Sequence, residues 1–229
     1  MSKALKLYYD LLSQPSRALW IFLEKTKIPY ERCLVNLGKG EHLTEEFKAI
    51  NRFQKVPCIA DNQIKLAESV AILRYLAREY RVPDHWYPAD SRRQARVDEY
   101  LEWQHHNTRA MCAVYFQYMW LRPRMFGSKI DPKRAEQYKA QMESCLDFIE
   151  RELLGGGSSF FAGEEISVAD LLAACEIEQP KMAGYDPCEG RPKLAEWMAR
   201  VRDATNPYYD QAHKFVYKMS QETAAKPKL

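Results

Sequence analysis

Three short clusters and one further side chain in the amino-terminal part of the chain carry residue types that could hold a charged, extended ligand. Ser13-Gln14-Pro15-Ser16-Arg17 follows an apolar run and opens a helical one. A hydroxyl there sits beside free N–H groups and the positive end of a helix dipole, where it can donate to an anion. Lys55-Val56-Pro57 ends in a proline that cannot donate to a sheet ladder. A cis peptide at that point would turn the Val56 amide and carbonyl outward, an edge for an extended peptide. Glu68-Ser69 starts another helix, where free N–H groups and the Ser69 hydroxyl suit a carboxylate while Glu68 suits an ammonium group. Together they fit the head of an α-amino acid. His42, in a polar loop, and Lys55 would face a second carboxylate.

Each cluster also admits a plainer role. Ser13 or Ser16 can simply cap its helix, Pro57 can be a turn proline beside a solvated lysine, and Glu68 can complement the helix dipole while Ser69 caps. A lone loop histidine such as His42 is often just exposed. On the residues alone the plainer roles are favoured.

Other chemistries lose their cues. His105 and His106 are adjacent and so point to different helix sides, which argues against a metal face. No metal site is expected. The six cysteines, Cys33, Cys58, Cys112, Cys145, Cys175 and Cys188, are far apart and read as reduced, buried residues. The chain carries neither a phosphate loop nor a Gly-x-Gly-x-x-Gly run. Ser167-Val168-Ala169-Asp170 spaces Ser167 and Asp170 as a capping box, with Ile166 and Leu171 placed for a hydrophobic staple, so both polar residues are assigned a structural role.

The elements that must position these clusters follow from periodicity. Leu5 to Tyr9 reads as a strand, and the run after Ser16 as a helix with Leu19, Phe22 and Leu23 on one face and Trp20 and Ile21 widening it. Tyr30 to Val35 gives a second strand, parallel to the first across the helical crossover. A polar loop over Asn36 to Leu43 and a short helix lead to an antiparallel hairpin, Val56 to Ala60 and Ile64 to Leu66 around Asp61-Asn62-Gln63. A helix follows from Glu68, with Leu73, Leu76, Ala77 and Tyr80 at helical spacing. The order is β-α-β, a looser helix, then β-β-α. Residues 81–88, with two prolines and no period, read as a linker that leans on a neighbour. Beyond it every run is helical: Ser91 to Arg122, Pro132 to Leu154, Ser167 to Gln179, Arg191 to Ala204 and Pro207 to Met219, with a frayed polar end from Gln221.

Composition narrows the function classes. The 229 residues allow one large domain or two modest ones at about 100 to 200 residues each. Thirty-four basic against 31 acidic residues leave a net charge of +3, without the basic stripe that nucleic-acid binding requires. No stretch approaches the roughly 18 apolar residues of a membrane span, and the first residues lack a secretory core, so the expected compartment is the cytosol.

Leu7-Tyr8-Tyr9-Asp10-Leu11-Leu12-Ser13-Gln14-Pro15, Lys55-Val56-Pro57, Glu68-Ser69-Val70-Ala71-Ile72-Leu73, Ala95-Arg96-Val97-Asp98-Glu99-Tyr100-Leu101 and Ile166-Ser167-Val168-Ala169-Asp170, in that order, strongly resemble cytosolic glutathione transferases of the theta class. The resemblance implies a fold of α/β plus all-α type: a thioredoxin-like domain over residues 1–80, a linker over 81–90, and an all-helical domain over 91–229 that supplies the electrophile site. It implies a homodimer with glutathione as co-substrate and no other cofactor. In that scheme Ser13 faces the glutathione sulfur, in place of the tyrosine other classes use. Glu68 and Ser69 take the γ-glutamyl ammonium and carboxylate, Val56 before a cis Pro57 pairs with the cysteinyl backbone, His42 and Lys55 face the glycine carboxylate, and Arg109 faces the sulfur or the second substrate. Arg52-Phe53-Gln54, where relatives often carry a proline, and the long Gly155-Gly156-Gly157 depart from the family pattern.

The implied activity is conjugation of the glutathione thiolate to small hydrophobic electrophiles, in a detoxifying role, with hydroperoxide reduction by the same thiolate as an extension. Leu12, Tyr115, Phe116, Met119, Trp120 and Phe215 are candidates for the electrophile wall. The competing expectation is a non-catalytic adaptor or hydrophobic-ligand carrier on the same fold, which would have no need of a complete tripeptide site. A thiol-disulfide oxidoreductase is disfavoured, because no cysteine stands at or next to Ser13.

Overall fold

The computed structural model describes residues 5–225. Strand β1, Leu5–Tyr9, buries Leu5, Leu7 and Tyr9 and leaves the alternate residues half out, as a strand packed on one face requires. Helix α1, Gln14–Thr26, returns the chain to β2, Tyr30–Leu34, which lies parallel to β1 with Leu5 opposite Tyr30. A short helix α2, Glu45–Ile50, is capped by Thr44, whose hydroxyl accepts from the Phe47 N–H. Strands β3, Cys58–Asp61, and β4, Ile64–Ala67, form the hairpin, and the sheet order is β2-β1-β3-β4. The third strand begins at Cys58, because Pro57 has no N–H for the ladder. Helix α3, Ser69–Glu79, closes this half.

The linker leans on both halves. Trp86 is buried edge-on to Phe22 of α1 at 5.6 Å, and His85 Nδ1 lies 2.6 Å from the Ile166 carbonyl.

Beyond it come α4, Ser91–Trp103, and α5, Thr108–Phe116, where a single helix to Arg122 was expected. The helix breaks because Asn107 leaves helical geometry (φ −116°, ψ −99°) and its side-chain amide donates to the Trp103 carbonyl, a local bond that competes with the helix ladder. The chain then passes through one wide π turn, Gln117–Leu121, in which the Arg122 N–H reaches back to the Gln117 carbonyl, and continues as α6, Arg122–Phe126, ending at Gly127 (φ 62°). Helices α7, Pro132–Phe148, α8, Val168–Glu178, α9, Pro192–Thr205, and α10, Tyr208–Ala224, complete the domain. The last helix runs past Met219, so residues 221–224, expected to fray, are helical; residues 226–229 lie outside the described ones.

Helix α8 is buried along its whole length. Its start matches the expected capping box: Asp170 accepts from the Ser167 N–H and hydroxyl, and also from the Phe161 N–H and Trp197 Nε1, each at 2.9 Å. Trp197 stacks on Phe161 with centroids 4.4 Å apart. Helix α1 packs on α3, α8 and α10 and shares one core with the sheet residues Leu5, Leu7, Tyr9 and Ile59, which is why every residue from Pro15 to Leu23 is buried. Cys58, Cys112, Cys145 and Cys175 are buried as expected, whereas Cys33 and Cys188 are only half-buried.

Candidate functional site

The loop from β1 into α1 is fixed from two sides. Asp10 accepts from the Leu12 N–H at 2.9 Å and from the Leu37 N–H at 3.0 Å. Arg17 is wholly buried and donates from Nη1 to the Leu11 and Leu12 carbonyls at 2.9 and 3.3 Å, and from Nη2 to the Cys175 carbonyl and Gln179 Oε1 at 3.0 and 2.5 Å. One guanidinium thus ties the Ser13 loop to the end of α8.

Ser13 occupies the N-cap position of α1 with extended dihedrals, yet its hydroxyl makes no cap bond. The hydroxyl's only hydrogen bond among the described residues is a long one, 3.4 Å, to the Val56 carbonyl across the cleft. Ser16 is no substitute: its hydroxyl is buried without a partner.

Asn51 folds the opposite loop. Its side-chain amide donates to the Lys55 carbonyl at 2.7 Å, its side-chain oxygen accepts from the Phe53 N–H, and its carbonyl accepts from the Gln54 N–H. Gln54 takes a positive φ of 51°. The stretch that lacks the family's proline is therefore closed by an asparagine. The Val56-Pro57 peptide is cis, and the Val56 N–H has no acceptor among the described residues. Lys55 is exposed; His42 is half-buried, with Nδ1 shielded and unpartnered.

At the head of α3, Glu68 is exposed and held at φ 68°, ψ 112°, a conformation that favours glycine. Ser69 is buried, and its hydroxyl accepts from Arg109 Nη1 at 3.3 Å. The same arginine, on α5, places Nε 3.3 Å from Glu176 Oε1. Glu176 lies in the last turn of α8, only 1% exposed, with neither carboxylate oxygen in a hydrogen bond. Burial pushes its carboxyl up to about 7, with Arg109 and Arg17 pulling the other way.

These loops and helices enclose a cleft of about 980 Å3 that brings together Ser13, His42, Lys55, Val56, Arg109 and Glu176. Ser69 adjoins it through Arg109, and Glu68 stands beside Ser69 outside the lining. Of the residues proposed for the apolar wall, Leu12 and Phe116 line it. Tyr115, Met119, Trp120 and Phe215 do not, and Tyr115 and Trp120 are buried in the domain core. Ala113, Leu121, Met125 and Phe126 stand there instead. A separate hollow of about 640 Å3, between α5 and α7, holds none of the candidate residues.

Four positioning residues escaped the sequence reading: Asp10, Arg17, Asn51 and Glu176. For two of them a signal existed. Arg17 precedes the run Ala18 to Leu23, and Glu176 interrupts Leu171 to Ile177, so each is a lone charge in an apolar stretch.

Two family models match the chain: Glutathione S-transferase, N-terminal domain, over residues 4–78, and Glutathione S-transferase, C-terminal domain, over residues 111–203. Glutathione S-transferase theta-1 from Bos taurus is 43% identical over 98% of this chain and 94% of that protein. The theta-1 protein from Homo sapiens is 42% identical over the same shares. A solved human glutathione transferase theta-2, in complex with glutathione and an unknown ligand, superposes with a TM-score of 0.90 at 38% identity, covering 98% of this chain and 92% of that one. With both halves matched and this similarity spanning nearly the whole chain, the protein belongs to the theta class of the glutathione S-transferase family.

Proposed function

We propose that this protein is a glutathione transferase in which the Ser13 hydroxyl stabilises the glutathione thiolate for attack on small apolar electrophiles. The observation that carries this reading is the Ser13 hydroxyl, which does not cap its helix and makes only a long bond across the cleft. Exchanging that weak bond for one to a thiolate is favourable. A thiol with a pKa near 8.5 is mostly protonated at pH 7. A charge-assisted hydrogen bond contributes roughly 1.5 to 3 kcal/mol, and each pKa unit requires about 1.4 kcal/mol, so the bound thiol drops by about one to two units. The N-terminus of α1 and the Arg109 guanidinium act in the same direction.

The tripeptide is anchored at three places. The free Val56 N–H pairs with the cysteinyl backbone, Glu68 and Ser69 hold the γ-glutamyl head, and His42 with Lys55 faces the glycine carboxylate. The domain over residues 1–80 is the glutathione-binding unit, joined through 81–90 to the helical domain over 91–229. That second domain supplies Phe116, Leu121, Met125 and Phe126 as the apolar wall. Holding both reactants in one cleft makes the attack effectively unimolecular. The assignment as a cytosolic homodimer that uses glutathione as co-substrate and no prosthetic group rests on the family resemblance.

The test is an ultraviolet titration of the thiolate band of bound glutathione, run beside Ser13→Ala. The bound thiol is expected to ionise well below its free value, and the variant to bind glutathione while its thiol pKa rises by about one to two units. Binding with an unshifted thiol in the unmodified protein would instead identify a non-catalytic carrier.

A further inference from the structure

We propose that Glu176 accepts the proton that the glutathione thiol gives up, so that negative charge moves from the carboxylate to the sulfur within the same cleft while Arg109 faces both. This deepens the proposed function and rests on the Ser13 reading.

A glutamate at this position needs a reason. Every other residue of α8 is buried too, and an ionised carboxylate in such surroundings is destabilising unless it is paired and hydrogen-bonded. Glu176 is neither hydrogen-bonded nor exposed, and it borders the cleft that holds Ser13. Its ionised form is therefore poorly solvated, which leaves it ready to take up a proton.

The groups around it leave that role to Glu176. Arg109 and Cys112 face it from α5, Arg17 from α1 and Tyr100 from α4, with Cys175 and Glu178 on its own helix. Burial holds Tyr100, Cys112 and Cys175 in their neutral forms. Glu178 is paired with Lys181 at 3.0 Å. Arg17 already donates to four oxygens. Lys39, Lys55 and Arg109 also line the cleft, and of these, among the described residues, Arg109 alone forms an ion pair with Glu176, Nε to Oε1 at 3.3 Å.

A thiolate placed beside that arginine becomes a second anion next to the carboxylate. Like charges held in one cleft titrate as a coupled pair: ionising one raises the pKa of the other. The carboxyl already stands at about 7. In the step proposed, the S–H bond breaks, its electron pair stays on sulfur, and an O–H bond forms on a Glu176 oxygen. Nothing is oxidised or reduced. When the conjugate leaves, the carboxyl proton passes to solvent or to the departing group, and the carboxylate re-forms.

The test counts protons. At about pH 7.5 the carboxylate starts mostly ionised and free glutathione mostly protonated. Glutathione is added to the whole protein in weak buffer, and both the thiolate band and the protons released to an indicator dye are followed. The unmodified protein should release about half a proton or less per thiolate formed, and Glu176→Gln about one. Release of about one proton by the unmodified protein, or an equal count in both proteins, overturns the proposal. Absence of a thiolate band in the unmodified protein overturns the Ser13 reading first. An infrared difference spectrum of the unmodified protein needs no variant: binding should raise a protonated-carboxyl band, and its failure to grow also overturns the proposal.

Discussion

Glu68 shows at the scale of one residue how a site can oppose stability. Its backbone sits at φ 68°, a region in which a side chain costs roughly 1 to 3 kcal/mol, and the conformation places its exposed carboxylate beside Ser69 at the head of α3. Glu68→Gly is expected to raise the unfolding midpoint, by relieving about 1 kcal/mol, while raising the KM for glutathione several-fold. Thermal unfolding and initial rates on one preparation check both effects, and a variant that loses stability would contradict the strain. Single residues were legible unevenly. Ser13, Lys55, Val56, Glu68 and Ser69 announce themselves because they lie at element ends, where turn and cap signals are local. Arg17 and Glu176 do not, because their burial is imposed by elements that meet only in three dimensions; the bond from Arg17 to the Cys175 carbonyl spans 158 residues.

At the scale of elements, α8 is the piece on which both the core and the cleft rest. Its first turn is locked by Asp170, which receives four donors, while its far end holds the Ser13 loop through Arg17 and presents Glu176 to the cleft. Asp170→Ala leaves the Trp197 indole N–H and the Phe161 and Ser167 amides without their acceptor. It is expected to destabilise the fold by about 3 kcal/mol, with a correspondingly lower denaturation midpoint in urea. A loss under about 1 kcal/mol would show that water replaces the carboxylate. The capping box was readable because its two members are three residues apart. The break between α4 and α5 was not: the polar stretch Gln104 to Arg109 contains no proline or glycine to mark an end, yet the helix gives way to a turn over 104–107.

For the whole molecule, α1 belongs to both halves: it packs against α3 in the first and against α8 and α10 in the second. Trp86 and His85 add linker contacts to each side. Unfolding is therefore expected to be a single transition, with tryptophan fluorescence and far-ultraviolet circular dichroism coinciding, since the five tryptophans span α1, the linker and the helical domain. Two separated transitions would show that the halves fold independently. The order of elements was legible through α3, whereas the expected helix from Ser91 to Arg122 is α4, α5, the π turn and the start of α6; which helical residues face the cleft was not legible, and the π turn supplies part of the reason. Arg109, Ala113, Gln117, Leu121 and Met125 all line it, each four residues after the last. In an unbroken α-helix such a row drifts by about 40° per step and would wind away from the cleft. The wider turn at Gln117–Leu121 takes up some of that drift. The acceptor side of the cleft is thus tuned by residue count as well as residue type: losing one residue from this turn would swing Leu121, Met125 and Phe126 around the helix axis by about 100° and re-face the wall without changing a side chain.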